Sequence, residues 1–317
     1  KGRNLKMAIS ASMVKELREK TGAGMMDCKK ALTNTDGDMD KAVEWLRENG
    51  LAKAEKKAGR IAAEGIVKTF ISADGKNASM VEVNSETDFV AKNDKFQDFV
   101  GDVVEQINGS AAEDVEAFLA EAWAKDSSKT VKEELASMVA TIGENMNIRR
   151  FAKLSADNGV VVDYIHAGGK IGVLIAAETD NTGDEVVECL KNVAMQIAAM
   201  NPEYLSADDV SEEYKEKEKK ILLEQAKNDP KNAGKPENII EKMIIGRLNK
   251  ELKEVCLTEQ VYVKAENKET VAKYVESVAK AVGCNLKLTG FVRYETGEGL
   301  EKKEEDFAAE VAAQMNA

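Results

Sequence analysis

Histidine is almost absent from this chain of 317 residues, because His166 is the single one. A lone histidine has no second histidine with which to hold a metal ion, and no serine or cysteine motif marks it as a catalytic base. The sequence also lacks the pattern G-x-x-x-x-G-K-[ST], which cradles nucleotide phosphates. These absences predict a protein that acts by binding, without a catalytic site, a metal, a cofactor or a direct nucleotide site.

Cysteine is scarce as well, and Cys28, Cys189, Cys256 and Cys284 are spaced too irregularly for a disulfide framework or a zinc site. Reduced thiols and a cytoplasmic location are therefore expected. No apolar run approaches the ~20 residues that a membrane-spanning helix needs. The first residues lack the apolar segment of a signal peptide, so neither a signal peptide nor a membrane partner is expected.

Aromatic residues make up only 5% of the chain and there are three prolines, which favours helix with some sheet. The net charge of −12 argues against nucleic acid as the main partner, because binding to phosphates needs clustered Lys and Arg. The charge is uneven, since residues 1–60 hold 14 Lys and Arg against 9 Asp and Glu, a net of +5 that leaves −17 elsewhere. The N-terminal end is thus suited to meeting an acidic surface.

Three short helices are predicted in the N-terminal sixty residues. Ser10 or Ser12 caps the first, and the third covers residues 38–49 with Gly50 as its stop. Glycines between the first two helices do not complete a dinucleotide-binding motif, because they follow a helix and not a strand. The turn that they form exposes Met25 and Met26 for a partner, or else one of these packs inside.

A connector at residues 87–92 joins a predicted strand to a predicted helix and carries Phe89. The strand alternates polar and apolar residues, and the helix has Asp94 as its N-cap and Phe96 at the start of its apolar face. Phe89 lies seven residues before Phe96, so in one interpretation both belong to the core. In the other, Phe89 is a presented aromatic that enters a pocket on a partner.

The strand, connector and helix pattern occurs twice. The predicted strands of the two copies lie at residues 66–71, 80–83, 160–165 and 171–176. Residues 178–180 repeat the sequence of residues 86–88, but Asn181 stands at the position of Phe89. A core role would require the ring in both copies, so the two interpretations of Phe89 become balanced. The pattern predicts an α+β fold with two antiparallel sheets covered by helices.

Between the two copies, a predicted helix at residues 131–142 leads through Gly143 to Arg149 and Arg150. Such a basic pair is usually a solvated edge or an ion-pair site. Further strands are predicted at residues 261–263 and 286–294, on either side of a helix.

From Asp208 the composition changes to a highly charged helix of about 20 residues with a narrow apolar stripe. Pro and Gly residues break it, and a second such helix is predicted at residues 237–255. Together they predict an antiparallel helical hairpin that projects from the core, and the residues alone are consistent with a lone solvated hairpin. A short final helix at residues 304–314 carries Phe307.

Several motifs resemble those of the bacterial translation elongation factor Ts family. They are Val14 to Arg18, Thr21 to Leu32, Thr87 to Lys92, Ile142 to Asn145, Asn147 to Arg150, His166 with its hairpin, and Gly290 to Tyr294. The resemblance extends over essentially the whole chain from Ser10. It implies a guanine-nucleotide exchange factor for elongation factor Tu, and it favours the presented interpretation of Phe89.

The resemblance also implies how the chain is divided. The expected units are an N-terminal three-helix UBA-like bundle at residues 7–60, core halves at 61–158 and at 159–207 with 255–294, a dimerisation arm of coiled-coil type at 208–254, and a C-terminal module at 295–317. The residues implied in binding elongation factor Tu are Arg18, Met25, Met26, Thr87, Asp88, Phe89, Val90, Lys92, Ile142, Gly143, His166 and Phe307.

Overall fold

Helices and antiparallel strands alternate along the computed structural model, which describes residues 9–232 and 235–301. The α-helices and strands in this part of the chain are α1 (Ala11–Thr21), α2 (Met25–Asn34), α3 (Met39–Lys57), β1 (Glu64–Ile71), β2 (Asn77–Ser85), α4 (Asp88–Ala91), α5 (Asp94–Gly109), α6 (Val115–Ala120), β3 (Ala122–Trp123), β4 (Asp126–Thr130), α7 (Val131–Ile142), β5 (Met146–Ser155), β6 (Gly159–His166), β7 (Ile171–Thr179), α8 (Asp184–Met200), α9 (Glu212–Asn228), α10 (Glu237–Val255), α11 (Val271–Val282) and β8 (Leu286–Glu295). The predicted α+β class is confirmed. The predicted final helix, with Phe307, lies outside the described residues.

The three predicted N-terminal helices are present. Ser10 caps α1, since its hydroxyl accepts a hydrogen bond from the Met13 amide at 3.2 Å. Leu17 and Leu32 are fully buried where the helices meet. The predicted stop at Gly50 is wrong: α3 continues to Lys57, and Gly50 is buried, with Ala136 of α7 as its neighbour.

Two three-stranded antiparallel sheets form the centre of the molecule, with strand orders β1-β2-β5 and β6-β7-β8. Sequence reasoning missed β5 and the small β3-β4 hairpin. The predicted strand at residues 261–263 is wrong, because only an isolated bridge between Val261 and Thr270 forms there. Val261 and Val263 are both exposed, so their apolar character does not reflect a buried strand.

The two sheets pack against each other on one face and carry helices on the other. Val67 and Met80 of the first sheet lie with Leu174 and Ala176 of the second in one buried cluster. Helix α5 covers the outer face of the first sheet, and α8 and α11 cover that of the second. The order of strand pair, connector and helix is therefore the same in both halves.

Helices α9 and α10 pack on each other through a small apolar cluster of Leu222, Ile244 and Leu248. The chain leaves for these helices and returns from them at adjacent places, because Tyr204 and Cys256 form a β-bridge. The Leu257 amide donates to the Tyr204 carbonyl at 2.9 Å. Among the described residues, no helix has the length and apolarity that crossing a membrane requires.

A candidate partner interface

The connector contains a single helical turn, α4, that presents Phe89. Thr87 is its N-cap, and the Val90 amide donates to the Thr87 hydroxyl at 3.5 Å. Val90 and Ala91 are buried beneath the turn, whereas Phe89 is 81% exposed. The core interpretation of Phe89 is therefore wrong.

The ring points away from the core because α4 and α5 are separate helices. Asn93, and not Asp94 as predicted, caps α5: its side-chain oxygen accepts from the Lys95 amide at 3.0 Å and from the Phe96 amide at 3.4 Å. The chain therefore leaves the helical conformation at Asn93, and the seven-residue spacing no longer places Phe89 beside Phe96.

The charges around the ring are exposed and paired. The Lys92 ammonium donates to the Asp88 carboxylate at 2.7 Å across the turn. This hydrogen bond, with a smaller contribution from the charge of Lys170, holds the pKa of Asp88 below its usual value. A solvent-exposed ion pair of this kind contributes little to stability. Either side chain can therefore leave the pair and contact a partner.

A loop after α7 supports the connector from one side. Gly143 ends α7 with φ +96°, a left-handed conformation that favours glycine, and the chain then turns towards Thr87. Glu144 accepts from both the Thr87 amide and the Thr87 hydroxyl, at 3.0 and 2.7 Å. The structure thus brings the predicted residues Ile142 and Gly143 next to the connector. Sequence reasoning gave Glu144 no role.

A groove lies on the other side of the connector. It has a volume of about 360 Å³ and is lined by Asp88 and Lys92, by the start of β1, and by the turn from Ala167 to Lys170. His166 directly precedes this turn and is exposed, with its Nδ1 atom 2.9 Å from the Tyr164 hydroxyl. Of the predicted residues, Asp88 and Lys92 therefore line the groove, whereas His166 adjoins the turn that lines it without being part of the lining.

The predicted residues of the bundle lie at the junction of α1 and α2. Arg18 is exposed, and Met25 and Met26 are 61% and 66% exposed, so the alternative in which one of these methionines packs inside is wrong. The bundle is tied to the connector's support through α3, because the Lys57 ammonium donates to the Gly143 carbonyl. That one partner contacts both regions stays a prediction.

Metal ligands do not cluster in this region. Within residues 9–232 and 235–301, no three His, Cys, Asp or Glu side chains come together as a metal site needs. The region instead presents an exposed aromatic ring, the charged side chains beside it and the hydrogen-bonded loop after α7 that supports the turn.

Comparison with known proteins identifies relatives over almost the whole chain. The family described as Elongation factor TS matches residues 86–298, and the family described as Elongation factor Ts, mitochondrial, N-terminal matches residues 3–55. The chain is 54% identical over 308 residues to Elongation factor Ts of Clostridium novyi, which covers 97% of this chain and 99% of that protein. It is 53% identical to Elongation factor Ts of Clostridium botulinum over the same shares of the two chains. The Clostridium tetani protein of that name is 53% identical over 307 residues, again 97% and 99%. The chain belongs to the elongation factor Ts family.

Proposed function

We propose that this protein binds the GTPase elongation factor Tu and promotes the release of GDP from it, without a catalytic site of its own. The observation that carries the proposal is Phe89, an aromatic ring 81% exposed on a capped turn. Aromatic anchors of this kind dominate the binding energy of many protein interfaces. Membership of the family supports the choice of partner.

The proposed mechanism is a difference in affinity. A factor that binds the nucleotide-free form of the GTPase more tightly than the GDP-bound form shifts the population towards release. By linkage, it weakens GDP binding by the same factor by which GDP weakens its own binding. Phe89 wedges between helices of the GTPase domain and displaces elements near the Mg²⁺ and phosphate site, while Asp88 guides its approach.

One ring does not supply the whole effect. Burying a phenylalanine is worth about 1.5–3 kcal/mol, or roughly one to two decades in affinity. A wide interface must therefore support it. The further contacts that we propose are made by Thr87, Val90, Lys92, Arg18, Met25, Met26, Ile142, Gly143 and His166, together with Phe307 of the tail.

Helices α9 and α10 are the proposed site of self-association. Their shared core is small, and Ile221, Ile239 and Ile245 remain exposed on the pair. Exposed aliphatic side chains along two charged helices can pack against the same side chains of a second copy, because a two-fold interface uses the same surface on both chains.

The test is the release of fluorescently labelled GDP from elongation factor Tu, with Phe89→Ala compared with the parent protein. We expect Phe89→Ala to slow stimulated release by about ten- to hundredfold, the equivalent of the burial lost. Its free energy of unfolding should change by less than about 0.5 kcal/mol, because the ring is exposed.

Val263→Ala is the matched control, since Val263 is an exposed apolar residue away from the connector. It should leave release unchanged. Parent-like release by Phe89→Ala would show that the ring is not the wedge. If the parent protein binds elongation factor Tu without speeding release, the exchange function itself is wrong and a non-exchanging adaptor remains.

A further inference from the structure

We propose that Glu144 is a positioning residue for the exchange reaction: it fixes the N-terminus of α4 and thereby the direction in which Phe89 is presented. The inference rests on the proposed function of Phe89. Glu144 does not need to touch the partner, because it acts through Thr87.

The turn that carries Phe89 is too short to hold itself. Helix α4 has four residues, and a single turn fixes several dihedral angles for one hydrogen bond, so it is unstable alone. Its orientation must be set by contacts at its ends. Val90 and Ala91 anchor one side in the core, which leaves the N-terminal end to be fixed by Thr87 and its partners.

Glu144 accepts from both hydrogen-bond donors of Thr87. Its Oε2 atom accepts from the Thr87 amide at 3.0 Å, and its Oε1 atom accepts from the Thr87 hydroxyl at 2.7 Å. Because the hydroxyl proton points to the carboxylate, the oxygen presents a lone pair to the Val90 amide, which lies 3.5 Å away. The carboxylate therefore sets the hydroxyl orientation that the N-cap requires.

The loop that bears Glu144 is itself held firmly. The Asn145 amide donates to Glu86 at 2.5 Å, and the Asn145 side chain donates to the Arg60 carbonyl at 2.8 Å. Asn145 is buried, and Lys57 donates to the Gly143 carbonyl. Glu144 thus connects a rigid loop to the turn that bears the ring.

The second half of the molecule provides an internal comparison. In the equivalent connector, the Thr179 amide donates to the Asn158 carbonyl at 3.0 Å. The Thr179 hydroxyl donates to the Asn181 carbonyl of its own loop, also at 3.0 Å. Among the hydrogen bonds of the described residues, Thr179 has no carboxylate partner. The paired contact from a carboxylate occurs in the half that carries the aromatic ring.

The first test is Glu144→Gln, which keeps the shape but replaces one acceptor oxygen with an NH₂ group that opposes a donor. At saturating factor, we expect stimulated GDP release to fall about tenfold, which corresponds to about 1.4 kcal/mol. The concentration for half-maximal release should change much less, because the rest of the interface is intact.

Glu121→Gln is the matched control, since Glu121 accepts a hydroxyl hydrogen bond from Ser110 at 2.6 Å. It should behave as the parent.

Two further comparisons separate positioning from a merely structural role. In a Phe89→Ala background, Glu144→Gln should cause no additional loss, because positioning acts only through the ring. Thr87→Val should reproduce the loss without any change at Glu144, because it removes the hydroxyl that donates to the Glu144 carboxylate.

Parent-like release at saturation by Glu144→Gln and by Thr87→Val would overturn the inference. The inference would also be overturned if adding Glu144→Gln to Phe89→Ala slowed GDP release as much as Glu144→Gln slows it in the parent protein. Such a loss would indicate a general structural effect. If Phe89→Ala itself releases GDP at the parent rate, the proposed function fails, and that outcome is distinct from a failure confined to Glu144.

Discussion

At the scale of single residues, Glu82 is a charged side chain with none of the residue exposed to solvent. Its carboxylate accepts from Arg149 at 2.9 Å, Arg150 at 2.6 Å, Asn84 at 3.0 Å and the Gly297 amide at 2.8 Å. Burial alone raises the pKa of Glu82, but these four donors outweigh it, so its pKa lies below its ordinary value. The network joins the first sheet to the segment that follows β8.

The direction of this pKa shift predicts an acid sensitivity. A carboxyl group with a lowered pKa in the folded state stabilises the protein above its unfolded pKa, about 4.3 for Glu. Its contribution is lost as the pH falls through the lower folded value. Urea unfolding from pH 7 to pH 3 should therefore show a loss of stability below about pH 4.3 that is smaller in Glu82→Gln, in which other carboxyl groups with lowered pKa values, such as Asp88 and Glu133, still contribute.

Glu82→Gln should itself cost about 3 kcal/mol at pH 7, because removing one partner of a buried pair leaves the other charges uncompensated. Glu298→Gln is the control: Glu298 also contacts Arg150, at 3.1 Å, but 43% of its side chain is exposed. It should cost less than about 1 kcal/mol. Equal effects of the two substitutions would contradict the central role of Glu82.

Spacing along the chain was insufficient to place Phe89. Whether it joins Phe96 in the core depends on where α5 begins, and the capping side chain of Asn93 decides that. The replacement of Phe89 by Asn181 in the second copy was the better signal, because it compares equivalent positions. The role of Glu144 was beyond sequence reasoning, since its partner Thr87 lies 57 residues away.

At the scale of elements, helices and their breaks were easier to predict than strands. Helix α10 begins and ends where the periodicity of residues 237–255 predicts. Strand β5 was missed because Arg149 and Arg150 resemble a solvated basic pair. Their partner Glu82 is distant in sequence, and only the folded sheet places these charges together.

The arm gives a prediction about association. Removing residues 208–254 and joining the ends with a short glycine-serine linker should abolish self-association and retain a one-to-one complex with elongation factor Tu. The deletion should preserve the fold of the remaining chain, because Tyr204 and Cys256, close to its two ends, already form a β-bridge. Multi-angle light scattering of the free protein and of the complex provides the measurement, and a shortened chain that is still a dimer would exclude the arm as the contact.

At the scale of the whole molecule, the two halves depend on a close approach between their sheets. A Cβ atom at Gly172 of β7 would lie 2.4 Å from Val67 Cγ1 and 2.9 Å from Met80 Sδ. The absence of a side chain there lets the second sheet reach the first. The repeated pattern predicted two halves, but not that their sheets pack against each other here, because this contact joins residues from both copies.

Gly172→Ala should therefore destabilise the protein by about 1–3 kcal/mol, as overpacking of a filled core does. Gly246→Ala is the matched control, since Gly246 lies in α10 with open space at its Cβ position. It should stabilise the protein by up to about 1 kcal/mol through helix propensity. Chemical unfolding of both variants measures this, and a Gly172→Ala protein as stable as the parent would show that the sheets separate without cost.

The bridge between Tyr204 and Cys256 has a practical consequence for engineering. Because the two ends of the intervening segment lie within hydrogen-bonding distance of each other, we expect that another folded unit can replace the segment. A fluorescent protein whose own ends are close together can be spliced in its place. The product would be an internally labelled factor with the Phe89 turn left as it is.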